Sequence, residues 1–332
     1  MGRSEGIARI GGWMTLRILV TGSSGFIGSA VVSALAEAGH WVRSASRRPN
    51  KAANRDNVEW VQLPDIGHGI DWNPLVAGRD VVVHLAAVAS RDRFERLGDA
   101  RANRRATADL VQACRRYAIK RLIFMSSIGA QAGSAADAVV TETDEPRPVT
   151  AYDRAKLAAE EEIRLSGVPF TILRPVIVYG PGAKANIAMM MRIAALPVPL
   201  PFGAFNNRRS LLSIDNLIQA IFLCLEGSAT LNQVFIVCDS EPITLAEMLA
   251  TLREATGQPP RLVSISPAII RPMVVAAGGH QLWNRIGREL VASPAKLEEA
   301  GWSPQIETKT GLCKMVRWCR ETAPLPIKPY EP

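Results

Sequence analysis

The chain has 332 residues, 48% of them hydrophobic, which is more than one domain of about 150 residues requires and suits a large α/β domain with a smaller lobe. Its net charge of +8 is spread over "SRRPNK", "RDRFERLGDARANRR", "CRRYAIKR" and "NNRRS" with too few aromatic residues to suggest stacking on bases; a phosphate-bearing small substrate accounts for the excess as well as nucleic acid would, and solvated helix faces account for most of it, so no nucleic-acid partner is expected. Cys114, Cys224, Cys238, Cys313 and Cys319 form no C-x-x-C pair and no Cys/His cluster, so a metal site is not expected and reduced cysteines in a cytoplasmic protein are.

In chain order, "MGRSEGIARIGGWMTLRILV" shows no apolar run of secretory length; residues 1–15 are taken as an N-terminal extension, with Met14 as an alternative start. Ile18 to Val20 read as a short buried strand, and Phe26 to Ala38 carry apolar residues at helical spacing. Strand patterns follow in "HWVRSASRR", "VEWVQLPDI" and "RDVVVHLAAVA", then a helix in "ARANRRATADLVQACRRYA", a strand in "RLIFMSS", a helix in "YDRAKLAAEEEIRLSG" and a strand in "FTILRPVIVYG". Alternation of this kind predicts a Rossmann-type, doubly wound parallel sheet over 16–180.

Beyond Gly180 the alternation fades, and Pro181, Pro197, Pro199 and Pro201 break the chain. Residues 181–322 are expected to form mainly a smaller, mixed substrate lobe, with "RRSLLSIDNLIQAIFLCLE" and "QVFIVCD" as segments that can return to the first domain. Within it "PAIIRPMVVAAGG" is too short to span a bilayer and contains Arg271 and Pro272, so no stable membrane insertion is expected; a lobe helix is preferred to an interfacial one. The proline-rich 323–332 is read as a loose tail.

Gly22, Gly25 and Gly28 fall in the turn between the first strand and helix as G-x-x-G-x-x-G, with Thr21 before them. Such a turn lets backbone amides approach a pyrophosphate, although glycines also serve tight turns for their own sake. The second strand ends in Ser46, Arg47 and Arg48 with no acid beside them, which favours NADP(H) over NAD(H), since Arg accommodates a 2′-phosphate where an acid would bind the free hydroxyl. Asp65 and Ile66 lie where an adenine-contacting pair can sit, or where Asp65 caps a turn.

Tyr152 and Lys156 are four residues apart and share a helix face. A neighbouring ammonium favours phenolate and is expected to lower the tyrosine pKa, making it an acid or base for an alcohol/carbonyl pair. Ser126 and Ser127 end the preceding strand at the carboxyl edge of the sheet, where a hydroxyl can hold the same substrate oxygen.

With "TGSSGFIG", "VVHLAA", Asn103 and Thr107, "SS", "YDRAK", "LRPVIVYGPG", "RRSLLSIDN" and "KLEEAGWSP", the chain resembles the extended short-chain dehydrogenases/reductases of the NAD-dependent epimerase/dehydratase family over nearly its whole length. The resemblance implies hydride transfer at nicotinamide C4. Ser127 orients the substrate carbonyl, Tyr152 is the proton donor or acceptor, and Lys156 binds the nicotinamide ribose and tunes the tyrosine. The implied cofactor contacts are Gly22, Gly25, Phe26, Ile27, Gly28, Arg47, Asp65, Ile66, Leu85, Ala86, Ala87, Tyr152, Lys156 and Pro175. Asn103 is either near the active site or structural, and His84 is expected to pack beside the cofactor. Two departures bear on substrate identity: Asp153 and Ala155 replace the Gly and Ser often found inside Y-x-x-x-K, and "IGAQAG" replaces the usual V-Y-G after the serines.

Arg209 resembles the family arginine that grips the diphosphate of a nucleotide sugar, a task a guanidinium suits because it forks onto two oxygens, though Arg208 and Arg209 can also be a solvated pair. Asn186 is a second candidate contact, and Arg174 reads as structural. The wording "NRRSLLSIDNLIQAIFLCL" resembles a UDP-glucose 4-epimerase-like subgroup that includes nucleotide-sugar 4-ketoreductases of surface-polysaccharide pathways. The expected activity is NADPH-dependent reduction of a UDP-4-keto-6-deoxyhexosamine. The alternatives are a UDP-sugar 4-epimerase with tightly bound NAD, a reductase of steroid-like or flavonoid-like carbonyls, and a non-catalytic NADP-binding sensor or scaffold. The family likeness also suggests a homodimer.

Overall fold

The computed structural model describes residues 9–10, 13–49, 55–66, 69–86, 97–183, 186–276, 283 and 287–322. Besides a short antiparallel pair, Arg9–Ile10 with Trp13–Met14, its strands are β1 (Arg17–Thr21), β2 (Trp41–Ser46), β3 (Val58–Gln62), β4 (Val81–His84), β5 (Arg121–Met125), β6 (Phe170–Pro175), β7 (Ile177–Tyr179), β8 (Arg208–Arg209), β9 (Leu211–Ser213), β10 (Gln233–Val237) and β11 (Ile243–Thr244). The helices are α1 (Phe26–Glu37), α2 (Asn73–Val76), α3 (Leu97–Arg116), α4 (Ile128–Ala132), α5 (Ala151–Leu165), α6 (Asn186–Ala194), α7 (Ile214–Glu226), α8 (Leu245–Ala255), α9 (Pro267–Ala276), α10 (Ala295–Glu299) and α11 (Thr308–Thr322).

Seven strands form one sheet in the order β10-β6-β5-β4-β1-β2-β3, and the pairings from β3 across to β6 are parallel. Every residue of β4, β5 and β6 is buried, as expected of strands covered on both faces, whereas β3 at the edge is buried only at Val58. The chain winds outward from β1 to β3, then crosses back to β4 and winds the other way. The reversal between β1 and β4 is the switch point at which doubly wound sheets bind ligands.

Two compact units are formed: Met1–Ser127 with Thr150–Leu173 and Ile221–Val234, and Ile128–Val149 with Arg174–Ala220 and Phe235–Pro332. In the first, Leu19, Val82, Leu110, Leu122, Ile163 and Ile172 belong to one core cluster. There α3 and α5 pack together, tied at the surface by Arg104 and Glu162 at 2.6 Å. In the second, Phe205, Leu249, Leu252, Leu312 and Met315 form the core, β7 pairs parallel with β9, and β8 pairs antiparallel with β11.

A buried carboxylate organises the second unit. Asp239 accepts hydrogen bonds from the Ser213 amide, Asn216 Nδ2 at 2.7 Å and Tyr179 Oη at 3.0 Å, so it joins β7, the end of β9 and the start of α7. Burial raises its carboxyl even so, which makes each of these donors necessary to a charge held out of water.

Candidate active site

At the end of β1, Gly22 has a φ of +70°, and a Cβ there would stand 2.8 Å from the Ala86 amide nitrogen, at the switch point. A Cβ on Gly28 would lie 2.3 Å from the Gly22 oxygen and 2.7 Å from the Ser23 Cα. The two glycines let the turn fold onto the start of α1 and onto the chain after β4. Gly25 is the N-cap without a side-chain cap, and the first turn of α1 holds no acid, so its amides remain available to an anion; Phe26 and Ile27, half-buried, begin the helix. This cradle fits a dinucleotide pyrophosphate. Gly28→Ala is expected to lower stability by about 1–3 kcal/mol and to weaken dinucleotide binding at least about tenfold, measured by thermal unfolding and cofactor titration.

Thr21 completes the turn. Its Oγ1 lies 2.9 Å from His84 Nδ1 and accepts from the Ala86 amide at 3.2 Å. His84 packs edge-on to Trp72 and stacked on Phe124, and burial beside the Lys156 charge lowers its pKa to about 3. A neutral imidazole wedged between rings is packing. Leu85 is half-buried and Ala86 buried, and Ala87 lies outside the described residues.

At the end of β2, Arg47 and Arg48 are exposed. The Ser46 hydroxyl is turned inward, donating to the Arg48 carbonyl at 2.6 Å and accepting from Trp60 Nε1 at 3.1 Å, so it shapes the strand end. Asp65 and Ile66, after β3, are half-buried, and Pro175 closes β6, buried. Ile66, His84, Ala86, Thr107, Phe124, Tyr152 and Lys156 line one hollow of the first unit, so five stretches of sequence converge there. Asn103 lies on α3 and Asn186 opens α6; their side chains are outside the described ones.

Helix α5 starts in a capping box: Thr150 Oγ1 accepts from the Asp153 amide at 3.1 Å, and the Asp153 carboxylate accepts from the Thr150 amide at 2.8 Å. Asp153, a departure from the family pattern, therefore starts the helix that carries Tyr152 and Lys156. Lys156 is 7% exposed, donates to the Met125 carbonyl at 2.6 Å, and lies 4.7 Å from the Phe124 ring centroid and 5.9 Å from that of Tyr152. An exposed Tyr/Lys pair would make none of these contacts.

The electrostatics differ from the sequence expectation. Burial, with the Asp153 carboxylate, raises the Tyr152 phenol to about 12 where a lowering was expected. Burial also lowers Lys156 to about 8, against the influence of Glu160. Taking the phenolate out of water costs more than the ammonium returns, because Lys156 is itself desolvated and turned to Met125.

The two serines separate by strand alternation. Ser126 still follows the ladder, its amide donating to Leu173, and its hydroxyl donates to the fully buried Glu160. Ser127 is the half-buried residue that leaves the strand. Glu160, which also accepts from Arg164 at 2.9 Å, was not singled out in the sequence, although its position four residues after Lys156 puts it on the same helix face. The departure "IGAQAG" forms α4, whose buried Gln131 accepts from Arg174 and donates to the Asp144 carbonyl at 2.6 Å, so Arg174 is structural.

Arg209 belongs to the second unit and is 9% exposed, not a solvated partner of Arg208. It donates to the carbonyls of Arg288 at 2.7 Å and Ser134 at 3.0 Å, and its Nε is buried without a partner. Burial lowers its pKa to about 10, still charged at neutral pH.

A glycine cradle at the switch point of a parallel sheet, with Tyr152 and Lys156 in the hollow that Ala86 also lines, points to a dinucleotide-dependent α/β enzyme; Ser127 is not among the described residues lining that hollow. The chain belongs to the NAD dependent epimerase/dehydratase family, whose model matches residues 18–238. It is 35% identical over 257 residues to the UDP-glucose 4-epimerase of Vibrio cholerae, covering 74% of this chain and 77% of that protein. It is 27% identical to the 2-alkyl-3-oxoalkanoate reductase of Stenotrophomonas maltophilia, covering 90% of this chain and 98% of that one. The UDP-glucose 4-epimerase of Thermotoga maritima, solved with UDP-glucose, matches with a TM-score of 0.73 at 26% identity, covering 92% of this chain and 99% of that one. The protein is thus a nicotinamide-dependent enzyme of the extended short-chain dehydrogenase/reductase type.

Proposed function

We propose that the protein is an NADPH-dependent reductase of a nucleotide-linked 4-keto-6-deoxyhexosamine. The observation that carries the cofactor choice is the end of β2, where exposed Arg47 and Arg48 stand with no acid beside them. The nicotinamide, when bound, supplies hydride to the sugar C4. Ser127 holds the carbonyl oxygen, Tyr152 gives that oxygen its proton, and Lys156 restores the proton balance and anchors the ribose. A phenol raised to about 12 enters the reaction protonated, as a reductive step requires. In this reading Arg209 exchanges its carbonyl partners for diphosphate oxygens, and Asn186 contacts the nucleotide.

The likeness to the Vibrio cholerae UDP-glucose 4-epimerase supports a second reading, reversible C4 epimerisation with retained NAD. The two are separated by denaturing freshly purified protein, identifying any released dinucleotide by chromatography, and titrating the protein with NADPH and NADH. Exchangeable cofactor with tighter NADPH binding is expected, followed by turnover of the 4-keto sugar; stoichiometric NAD would replace the reductase with the epimerase. Arg47→Glu should weaken NADPH binding about tenfold or more and leave NADH binding little changed, since only the former carries the 2′-phosphate.

A further inference from the structure

Glu160 is fully buried and takes no part in the steps assigned to Ser127, Tyr152 and Lys156. It follows Lys156 by one helical turn on the same face of α5. Both side chains meet the end of β5, and they meet consecutive residues there: Lys156 Nζ donates to the Met125 carbonyl at 2.6 Å, and the Ser126 hydroxyl donates to Glu160 Oε1 at 2.5 Å. The lysine and the carboxylate are thus held side by side against one strand end.

A carboxylate taken out of water is costly unless it is paired and hydrogen-bonded. Arg164 donates to the second oxygen of Glu160 at 2.9 Å and keeps 31% of its side chain in solvent, so the carboxylate is anchored from the surface as well as from the strand. Packing does not call for the charge, because an amide or a thioether of similar length fills the same space. A neighbouring charge does.

The surroundings of Lys156 identify that neighbour. From β4 comes His84, neutral because its pKa is lowered to about 3, and from β5 come only the Phe124 ring and the Met125 carbonyl. Helix α3 lines the hollow with Ala106 and Thr107, while its Arg104 is engaged at the surface by Glu162 at 2.6 Å. On α5 itself Tyr152 is a phenol raised to about 12, and the Asp153 carboxylate acts on Tyr152. Among the described residues, Glu160 is the carboxylate that opposes the effect of burial on Lys156.

We propose that Glu160 is a positioning residue of the site: fixed in place by Ser126 and Arg164, its carboxylate keeps the buried Lys156 ammonium charged where Tyr152 needs it. This role rests on those given to Tyr152 and Lys156 above, and one of its two readouts is free of them. In protein labelled with carbon-13 at lysine Cε, the NMR signal missing from Lys156→Met identifies Lys156. That signal should titrate near pH 8 in the wild type and about one unit lower in Glu160→Gln, which keeps the length and an acceptor for Ser126 but removes the charge. Arg164→Gln, at the partly exposed partner, should move it the other way, by up to about half a unit, since a cation that shares the carboxylate is gone. The second readout is kcat with the 4-keto sugar. For Glu160→Gln it should fall about fivefold at about pH 8 and stay within about twofold of the wild type at about pH 6, where the ammonium is present in both. Thermal unfolding and NADPH titration check that fold and dinucleotide site persist. A Lys156 titration unmoved by Glu160→Gln, or lowered by Arg164→Gln, overturns the proposal, as does a kcat lost equally at both pH values, the mark of a purely structural residue. A titration that shifts as expected while the pH profile of kcat does not would uphold the pairing and overturn the catalytic role of Lys156.

Discussion

Tyr152→Phe is expected to cut kcat/KM for the 4-keto sugar by about 10²–10⁴-fold while dinucleotide affinity stays within about threefold. The substitution removes one hydroxyl from a ring that already lies among Ala86, Phe124 and Ala155, so the hollow keeps its shape. Steady-state kinetics together with cofactor titration check it, and unchanged turnover of every candidate sugar would remove Tyr152 from the proton-transfer step. The pH profile of the wild type adds a second readout. With the phenol raised to about 12 and Lys156 lowered to about 8, the group that titrates near neutrality is the lysine. The reductive rate should hold steady below about pH 8 and decline above it, as the ammonium that supports proton release from Tyr152 is lost.

Lys156→Met should abolish turnover and raise the stability of the fold at neutral pH. The native ammonium is nearly out of water, held by the Met125 carbonyl and the Phe124 face, and its pKa falls from 10.5 to about 8 chiefly through burial. A shift of that size corresponds to an unfavourable contribution on the order of 3–4 kcal/mol while the lysine is charged. Methionine has a similar length and no charge to desolvate, and Glu160 keeps Ser126 and Arg164 as partners after the change. The sign with pH follows from proton counting. Between about pH 8 and 10.5 the unfolded chain binds the lysine proton and the folded protein does not, so wild-type stability gains from this group as pH rises through that window. The variant should lack that gain. Denaturant unfolding across the range measures both, and a lower midpoint for Lys156→Met at neutral pH would mean that the carbonyl and carboxylate contacts outweigh the cost of burial.

These two residues also show how much of the site was legible beforehand. Y-x-x-x-K places both side chains on one helix face by periodicity alone, and the glycine spacing encodes a turn whose sterics forbid a Cβ. The alternation of strand and helix patterns announced the parallel sheet, whose β4, β5 and β6 are buried throughout. Each of these features is local, so a linear reading contains it.

The direction of the Tyr152 shift was not contained there, since desolvation depends on what other segments bring near the ring. The same holds for the Ser126–Glu160 contact, which requires α5 to lie against β5, and for Arg209, whose carbonyl partners come from 134 and 288. Helix α9 was visible only as an apolar run; that Ile270, Val274 and Val275 are the residues set against the core was settled by packing. The amino-acid sequence by itself determined the alternating elements, the glycine turn after β1 and the shared helix face of Tyr152 and Lys156, all properties of spacing and side-chain chemistry. Only the tertiary structure decided which hydroxyl, carboxylate and guanidinium are buried and against what. Solvation and charge coupling act through space between residues far apart in the chain.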